Sequence, residues 1–125
     1  MEMCWCDSGK RAADCCEPIL RGEQPAATAE ALMRSRYSAF VTQNEAYLRR
    51  SWHPATCPAT ITLDPDQRWL GLKVTRTAEG GAEDTDGEVA FVARYKLAGK
   101  GHRLEENSSF TRLGGQWVYV GRVVE

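Results

Sequence analysis

The sequence predicts an α+β protein, with helices first, an antiparallel meander after them and a small cysteine-rich head in front. Three observations predict it. Apolar residues from Leu32 to Val41 recur at the helical spacing of three and four. From Ile61 onward the period changes to two, with glycine-bearing turns between the alternating runs. Four of the five cysteines lie within the first 16 residues. Helices in one block and strands in another are the α+β pattern, in which the helices cover one face of the sheet.

Composition fits one soluble domain with a small appendage. The chain has 125 residues, 42% of them hydrophobic and 26% charged, which is a globular and not a disordered balance. Sixteen basic and 17 acidic side chains give a net charge of -1. They are evenly spread, seven and seven over residues 1–58, then nine and ten over 59–125. No nucleic-acid partner is expected, because neither half carries a one-sided positive field. No apolar run approaches the roughly 18 residues that span a bilayer, so no membrane span is expected. The N-terminus places Glu2 and a cysteine pair where a signal peptide needs a basic start and an apolar stretch, so a cytoplasmic location is expected.

The head is defined by Cys4, Cys6, Cys15 and Cys16. A bridge within either pair would close a tiny, strained ring, and bridges between the pairs would not persist in a reducing cytosol. Four thiolates suit a tetrahedral zinc ion and disfavour magnesium or calcium. An iron–sulfur cluster fits adjacent ligands on so short a loop less well. A redox-active thiol group and inert thiols are the other readings. Ser8 and Gly9 allow the tight turn between the pairs, and Lys10 and Arg11 offset the site's negative charge.

Residues 17–27 read as a connector punctuated by Pro18, Gly22 and Pro25, which places a boundary near Gly22, with 1–22 as head and 23–125 as main domain. Thr28 is the expected N-cap of the first helix, with Glu30 favourable to the helix dipole. Leu32, Met33, Tyr37, Phe40 and Val41 form its apolar face. Asn44 caps a second short helix over 45–51 with Tyr47 and Leu48 inward, ended by Pro54 and Pro58. Ile61 and Leu63 suggest a short strand. Residues 69–77 form a longer one, with Leu70, Leu72 and Val74 on one face. Residues 79–87 make an exposed turn. Residues 88–97 alternate most clearly, with Val89, Phe91, Ala93 and Tyr95 on one side. Gly99 and Gly101 turn the chain into a polar strand over 102–113, which only a mixed interior would accept. Gly114 and Gly115 mark a tight hairpin into a last strand over 116–124.

The run Cys4-Trp5-Cys6-Asp7-Ser8-Gly9-Lys10, followed by Cys15-Cys16, resembles the SEC-C zinc motif. The segment from Thr28 to Phe40, with Trp52-His53-Pro54, Trp69-Leu70-Gly71-Leu72, Phe91-Val92-Ala93-Arg94-Tyr95 and Trp117-Val118-Tyr119-Val120, resembles the YchJ-like family of uncharacterised bacterial proteins almost end to end. Trp5 and Asp7 stand where that family usually has Pro and Gly, and neither change removes a ligand. The His that usually precedes Glu106 by one residue is Glu105 here. The resemblance implies a curved antiparallel sheet packed on N-terminal helices, a cone of the nuclear-transport-factor-2-like (cystatin-like) type, carrying a four-cysteine zinc-binding head. It implies no established activity.

A cone leaves a cavity at its open end, where small-molecule sites form. The candidate pocket residues are Tyr37, His53, Arg94, Glu106 and Ser108. Glu106 would pair with an arginine, and Tyr37 or His53 could serve as acid or base. The structural alternatives are a plain Glu106–arginine bridge and a His53 that hydrogen-bonds at a helix end. Arg34 and Arg36, two residues apart, cannot share a helix face, so at least one is expected to be solvated. His102 and Cys57 are expected to be an exposed turn residue and an ordinary loop thiol. No Walker loop, GxSxG elbow or HExxH motif occurs, and no catalytic residue is assigned. The leading functional reading is an adaptor whose structural zinc holds the head in shape for a protein partner. The alternative is a small-molecule binder or enzyme using the cone, and a third is a thiol redox sensor.

Overall fold

The structure is a computed structural model and describes residues 3–123. After a 3₁₀ turn at Ala12–Asp14 come α1 (Cys16–Leu20), α2 (Ala29–Val41) and α3 (Glu45–Arg50). Four strands follow, β1 (Arg68–Glu79), β2 (Asp86–Leu97), β3 (Lys100–Leu113) and β4 (Gln116–Arg122). They form one antiparallel sheet in the order β1-β2-β3-β4. The α+β architecture, with a curved sheet against N-terminal helices, is as the sequence implied. None of the described helices is long and apolar enough to cross a membrane.

Both expected caps are made. Thr28 Oγ1 accepts the Ala31 N–H at 3.0 Å, and Asn44 Oδ1 accepts the Tyr47 N–H at 3.0 Å. The 17–27 connector is partly helical, however. In α1, Pro18 falls within the first turn, where its missing N–H would have had no intrahelical partner. Ile61 and Leu63 form no strand. Ile61 is buried with Ala39, Tyr47 and Leu48, so the α2–α3 pair takes the apolar side chains that would have faced a sheet.

Strand β1 corrects one face assignment. The pairing with β2 slips between Trp69 and Gly71 and again between Val74 and Arg76. Leu70 is therefore an extra residue and stands 58% exposed while Leu72 is buried. A third slip occurs between Ser109 and Phe110 on β3. Such bulges bend their strands and raise the local twist, which curls the sheet around α2. In β2 and β3 the alternation holds. Val89 pairs with Ser108, Phe91 with Glu106 and Ala93 with Leu104, so the polar residues of β3 share the concave face with the apolar ones of β2. Gly101 lies within β3, and the turn is made by Ala98 and Gly99, both at positive φ.

Each edge of the sheet is met by another segment. At β4, the Tyr119 N–H donates to the Ser51 carbonyl and the His53 N–H donates to the Tyr119 carbonyl, both at 2.8 Å. At β1, the Leu72 N–H donates to Asp7 Oδ2 of the cysteine loop at 3.0 Å. Backbone groups engaged in this way are not free to pair with another chain. The head is held further by Arg34, whose Nη1 donates to the Cys6 carbonyl at 2.8 Å. Cys4, Cys6, Ala12 and Cys16 share one hydrophobic cluster with Leu32, Met33, Tyr37 and Leu72, and Trp5 packs against it.

The β1–β2 turn docks on the start of α2. The Ala29 N–H, one of the helix's unpartnered first donors, bonds the Gly80 carbonyl at 2.9 Å. A Cβ on Gly87 would lie 2.4 Å from the Gly80 Cα and 3.3 Å from the Ala29 Cβ. Gly87→Ala should therefore lower unfolding free energy by about 2 kcal/mol or more, read as a shifted urea midpoint. Asp7 takes a left-handed φ of 59° and also supplies the β1 contact. Asp7→Ala should cost about 1 kcal/mol or more, and Asp7→Asn, which keeps an acceptor oxygen and tolerates that φ, clearly less. Equal losses in the two variants would argue against the edge contact.

Candidate metal centre and cone cavity

Two turns bring the cysteines together. The Cys4 N–H donates to the Lys10 carbonyl at 2.8 Å, closing the loop between the pairs, and Gly9 takes a positive φ inside it. The 3₁₀ turn then delivers Cys15 and Cys16 to the same point. The Sγ atoms of Cys4, Cys6, Cys15 and Cys16 all lie within 4.8 Å of one another. Cys6 and Cys15 are 3.6 Å apart and Cys15 and Cys16 are 3.9 Å apart. A tetrahedron with metal–sulfur bonds of about 2.3 Å has sulfur–sulfur edges of about 3.8 Å. The four sulfurs are thus spaced as ligands of one small ion, close enough to hold it, and none is in a disulfide.

The thiols perturb one another strongly. The Cys16 thiol hydrogen-bonds Cys6 and, with Ser8, Cys4 and Cys15, lowers the Cys6 pKa to about 4 against the effect of burial. Burial raises Cys15, and the bond to Cys6 raises Cys16. Cys6 is thus the thiol of the four most readily ionised, and a bound cation would favour the thiolate form of the others as well. Ser8 Oγ lies 3.2 Å from the Cys15 sulfur. Of the two basic residues expected to offset the charge, Arg11 pairs with Asp14 at 2.7 Å. The cation that reaches the loop from the main domain is Arg34, held also by Glu30 at 2.9 Å.

Inside the cone lies a cavity of about 310 Å³, walled largely by Met33, Phe40, Trp52, Trp69, Phe91 and Phe110. Its polar lining is Arg36, Tyr37, Gln67, Glu106, Ser108 and Tyr119. Trp69 packs on Tyr37 edge-on, with centroids 5.6 Å apart. Glu106 Oε2 accepts hydrogen bonds from the Ser108 hydroxyl and, at 2.9 Å, from the Tyr119 hydroxyl. Arg36 is only 6% exposed. Its Nη1 donates to the Leu48 carbonyl at 2.8 Å and to Ser51 Oγ at 2.7 Å. The guanidinium lies against the rings of both Trp52 and Tyr119, 4.7 and 4.6 Å from their centroids, and these two rings meet each other edge-on at 5.2 Å.

Of the five candidate pocket residues, the fold brings Tyr37, Glu106 and Ser108 to the cavity and leaves two outside. Arg94 is exposed and pairs in register with Arg103, because its parity along β2 is opposite to that of Phe91 and Ala93. His53 lies at the β4 edge, where its Nδ1 accepts the Ala55 N–H at 3.0 Å. The expected Glu106–arginine ion pair is not among those of the described residues. Tyr37 presents its ring to the cavity, while its hydroxyl lies beside the Gly71 backbone and Asp7. Burial first, then Asp7, raises it to about 12, so it is a poor acid or base. Neither arginine of α2 is fully solvated, since Arg34 is only 19% exposed and Arg36 is buried. His102 lies on β3, exposed and stacked on Tyr95. Gln67 and Tyr119 are polar cavity residues that sequence reasoning missed, and Arg36, weighed only as a helix residue with Arg34, was not placed among the pocket candidates. A signal existed for Arg36, which stands four residues from both Leu32 and Phe40 on the apolar stripe.

The comparisons agree with this geometry. The family description "YchJ, middle NTF2-like domain" matches residues 28–121, and "SEC-C motif" matches residues 2–18. A UPF0225 protein of Ralstonia nicotianae is 46% identical over 129 residues, covering 94% of this chain and 88% of the relative. A UPF0225 protein of Streptomyces coelicolor is 47% identical over 117 residues, covering 94% and 91%. The solution structure of a SEC-C motif containing protein from Rhodopseudomonas palustris superposes with a TM-score of 0.84 at 31% identity, covering 98% of each chain. A crystal structure of a SEC-C motif containing protein from Psychrobacter arcticus shares the fold, with a TM-score of 0.80 at 24% identity, covering 100% of this chain and 84% of that one. With a four-cysteine SEC-C head ahead of a cone that matches over most of its length, the chain belongs to the uncharacterised YchJ-like UPF0225 family.

Proposed function

We propose that this chain is a zinc-braced binding protein. Cys4, Cys6, Cys15 and Cys16 hold a structural zinc that fixes the head against α2 and β1, and the cone cavity takes a small molecule. The observation that carries the reading is the aromatic-walled cavity of about 310 Å³ with Arg36 and Glu106 in its lining. Pockets of this size and character bury small ligands and use a few polar groups to orient them. Zinc, when bound, would supply folding free energy and no reactive site, because four protein thiolates leave no open position for water.

The adaptor reading has less support. Cys4, Cys6, Ala12 and Cys16 are buried and Trp5 packs on the same cluster, so the head uses much of its apolar surface within the chain. Since the head is part of the main core, metal loss should be felt well beyond it.

Protein purified without chelators should carry one zinc per chain by elemental analysis, and Cys16→Ser should lose it. Chelation should lower the Tm of the whole domain by about 5 °C or more. An unchanged Tm with full metal removal would sink the brace. For the cavity, toluene titrated into the zinc-loaded, ¹⁵N-labelled chain should shift the indole N–H resonances of Trp52 and Trp69 and leave Trp117, outside the lining, in place.

A further inference from the structure

The cavity contains two charged groups that do not touch. Arg36 is nine-tenths buried, and burial lowers its pKa only to about 10, so it stays cationic at neutral pH. Its protein hydrogen bonds run from Nη1 to neutral acceptors, Leu48 O and Ser51 Oγ. Nε and Nη2 have no hydrogen-bond partner among the described residues. Neither is among the donors sealed inside the packing, so they open on the cavity that Arg36 lines. Glu106 shows the complementary pattern. Oε2 is taken by Ser108 and Tyr119, while Oε1 accepts nothing from the described residues. Tyr119 keeps the two groups apart, because the guanidinium lies over its ring face and the carboxylate sits at its hydroxyl.

A molecule entering this space meets a free donor set and a free acceptor, one held at the face of Tyr119 and the other at its hydroxyl. An anion would gain from Arg36 and be repelled by Glu106, and a cation would face the reverse. A wholly apolar ligand would leave both groups dry and unpartnered, which is costly for buried charges. The flat walls of Trp52, Trp69 and Phe91 suit a planar ring. We infer that the cone selects small, uncharged, planar molecules that carry a hydrogen-bond acceptor and donor side by side, such as primary amides or lactams. The acceptor faces Arg36 and the donor faces Glu106 Oε1. This inference rests on the reading of the cone as a ligand site and assigns that site its chemical class.

Four probes of nearly one shape test it, namely benzamide, benzoate, benzamidinium and toluene. Each is titrated into the zinc-loaded full chain and followed by the Trp52 and Trp69 indole resonances. Benzamide should bind with a Kd on the order of 1 mM or below, at least about tenfold tighter than the other three. In Glu106→Gln the opposing charge is gone, so benzoate should overtake benzamide. Benzoate or benzamidinium equal to benzamide in the wild type would overturn the class, as would an unchanged order in a folded Glu106→Gln. Should that variant fail to fold, the wild-type order decides alone. Toluene binding without benzamide removes the class and leaves the cavity reading standing, whereas silence from all four removes both.

Discussion

Helix α2 has almost no face left for solvent, and the rest of the fold follows from that constraint. Ala29, Leu32, Met33, Ser35, Arg36, Tyr37, Ser38 and Ala39 are all buried, which leaves toward solvent the partly buried strip of Glu30, Ala31, Arg34 and Val41. A helix buried all round is usually apolar all round. This one is not, so each of its polar side chains needs a partner inside. Ser35 Oγ donates to the Leu32 carbonyl at 2.7 Å and lies 2.6 Å from the Tyr47 hydroxyl. Ser38 faces the Cys4 sulfur at 3.9 Å, and Arg36 reaches α3. Head, α3 and sheet are three walls around one helix: Ser38 meets the head, Ser35 and Arg36 meet α3, and Arg36 also lies against Tyr119 of the sheet.

The same arrangement explains why the cysteine loop belongs to the main domain's core. A four-stranded meander has two open edges, and an open edge invites pairing with other chains. The loop after Cys6 engages β1 at Leu72 through Asp7, and the segment after α3 engages β4 at Tyr119 through Ser51 and His53. Bulges in β1 and at the β3–β4 pairing curl the sheet between these two closures. The curl holds the concave face away from the middle of α2, and the cavity is the space that remains. Order in the cysteine loop therefore bears on the shape of the pocket, through Asp7, Leu72 and the Tyr37–Trp69 contact that forms one wall.

What could be read from the sequence depended on how local the physics was. The cysteine cluster was legible because ligand chemistry is a property of residue type, and four thiols on one short loop have few uses other than holding an ion. Helix α2 and strands β2 and β3 were legible because their periods run unbroken. Leu70 was not, because a bulge changes the parity of every residue before it and nothing in the side chains announces the extra residue. Ile61 alternates like a strand residue but packs on helices, since an apolar side chain does not record which neighbour it will meet. The exposure of Arg94 was readable in principle from its parity against Phe91 and Ala93. Its apolar surroundings outweighed that simpler argument.

The separation of Arg36 from Glu106 bears directly on whether the interior serves stability or binding. Two opposite charges in a drying core lower their energy most by direct contact, and replacing such a pair with apolar residues often stabilises a protein further. Here Tyr119 takes one partner on its face and the other on its hydroxyl. Burial, followed by Glu106, raises its pKa to about 12, so it remains a neutral donor across the ordinary pH range. The ring thus stands at both charges, which make no direct ion pair. That arrangement stabilises the empty cone less than a direct bridge would. It also leaves hydrogen-bonding capacity of both signs at an aromatic-walled cavity, which a core selected for stability alone would have consumed.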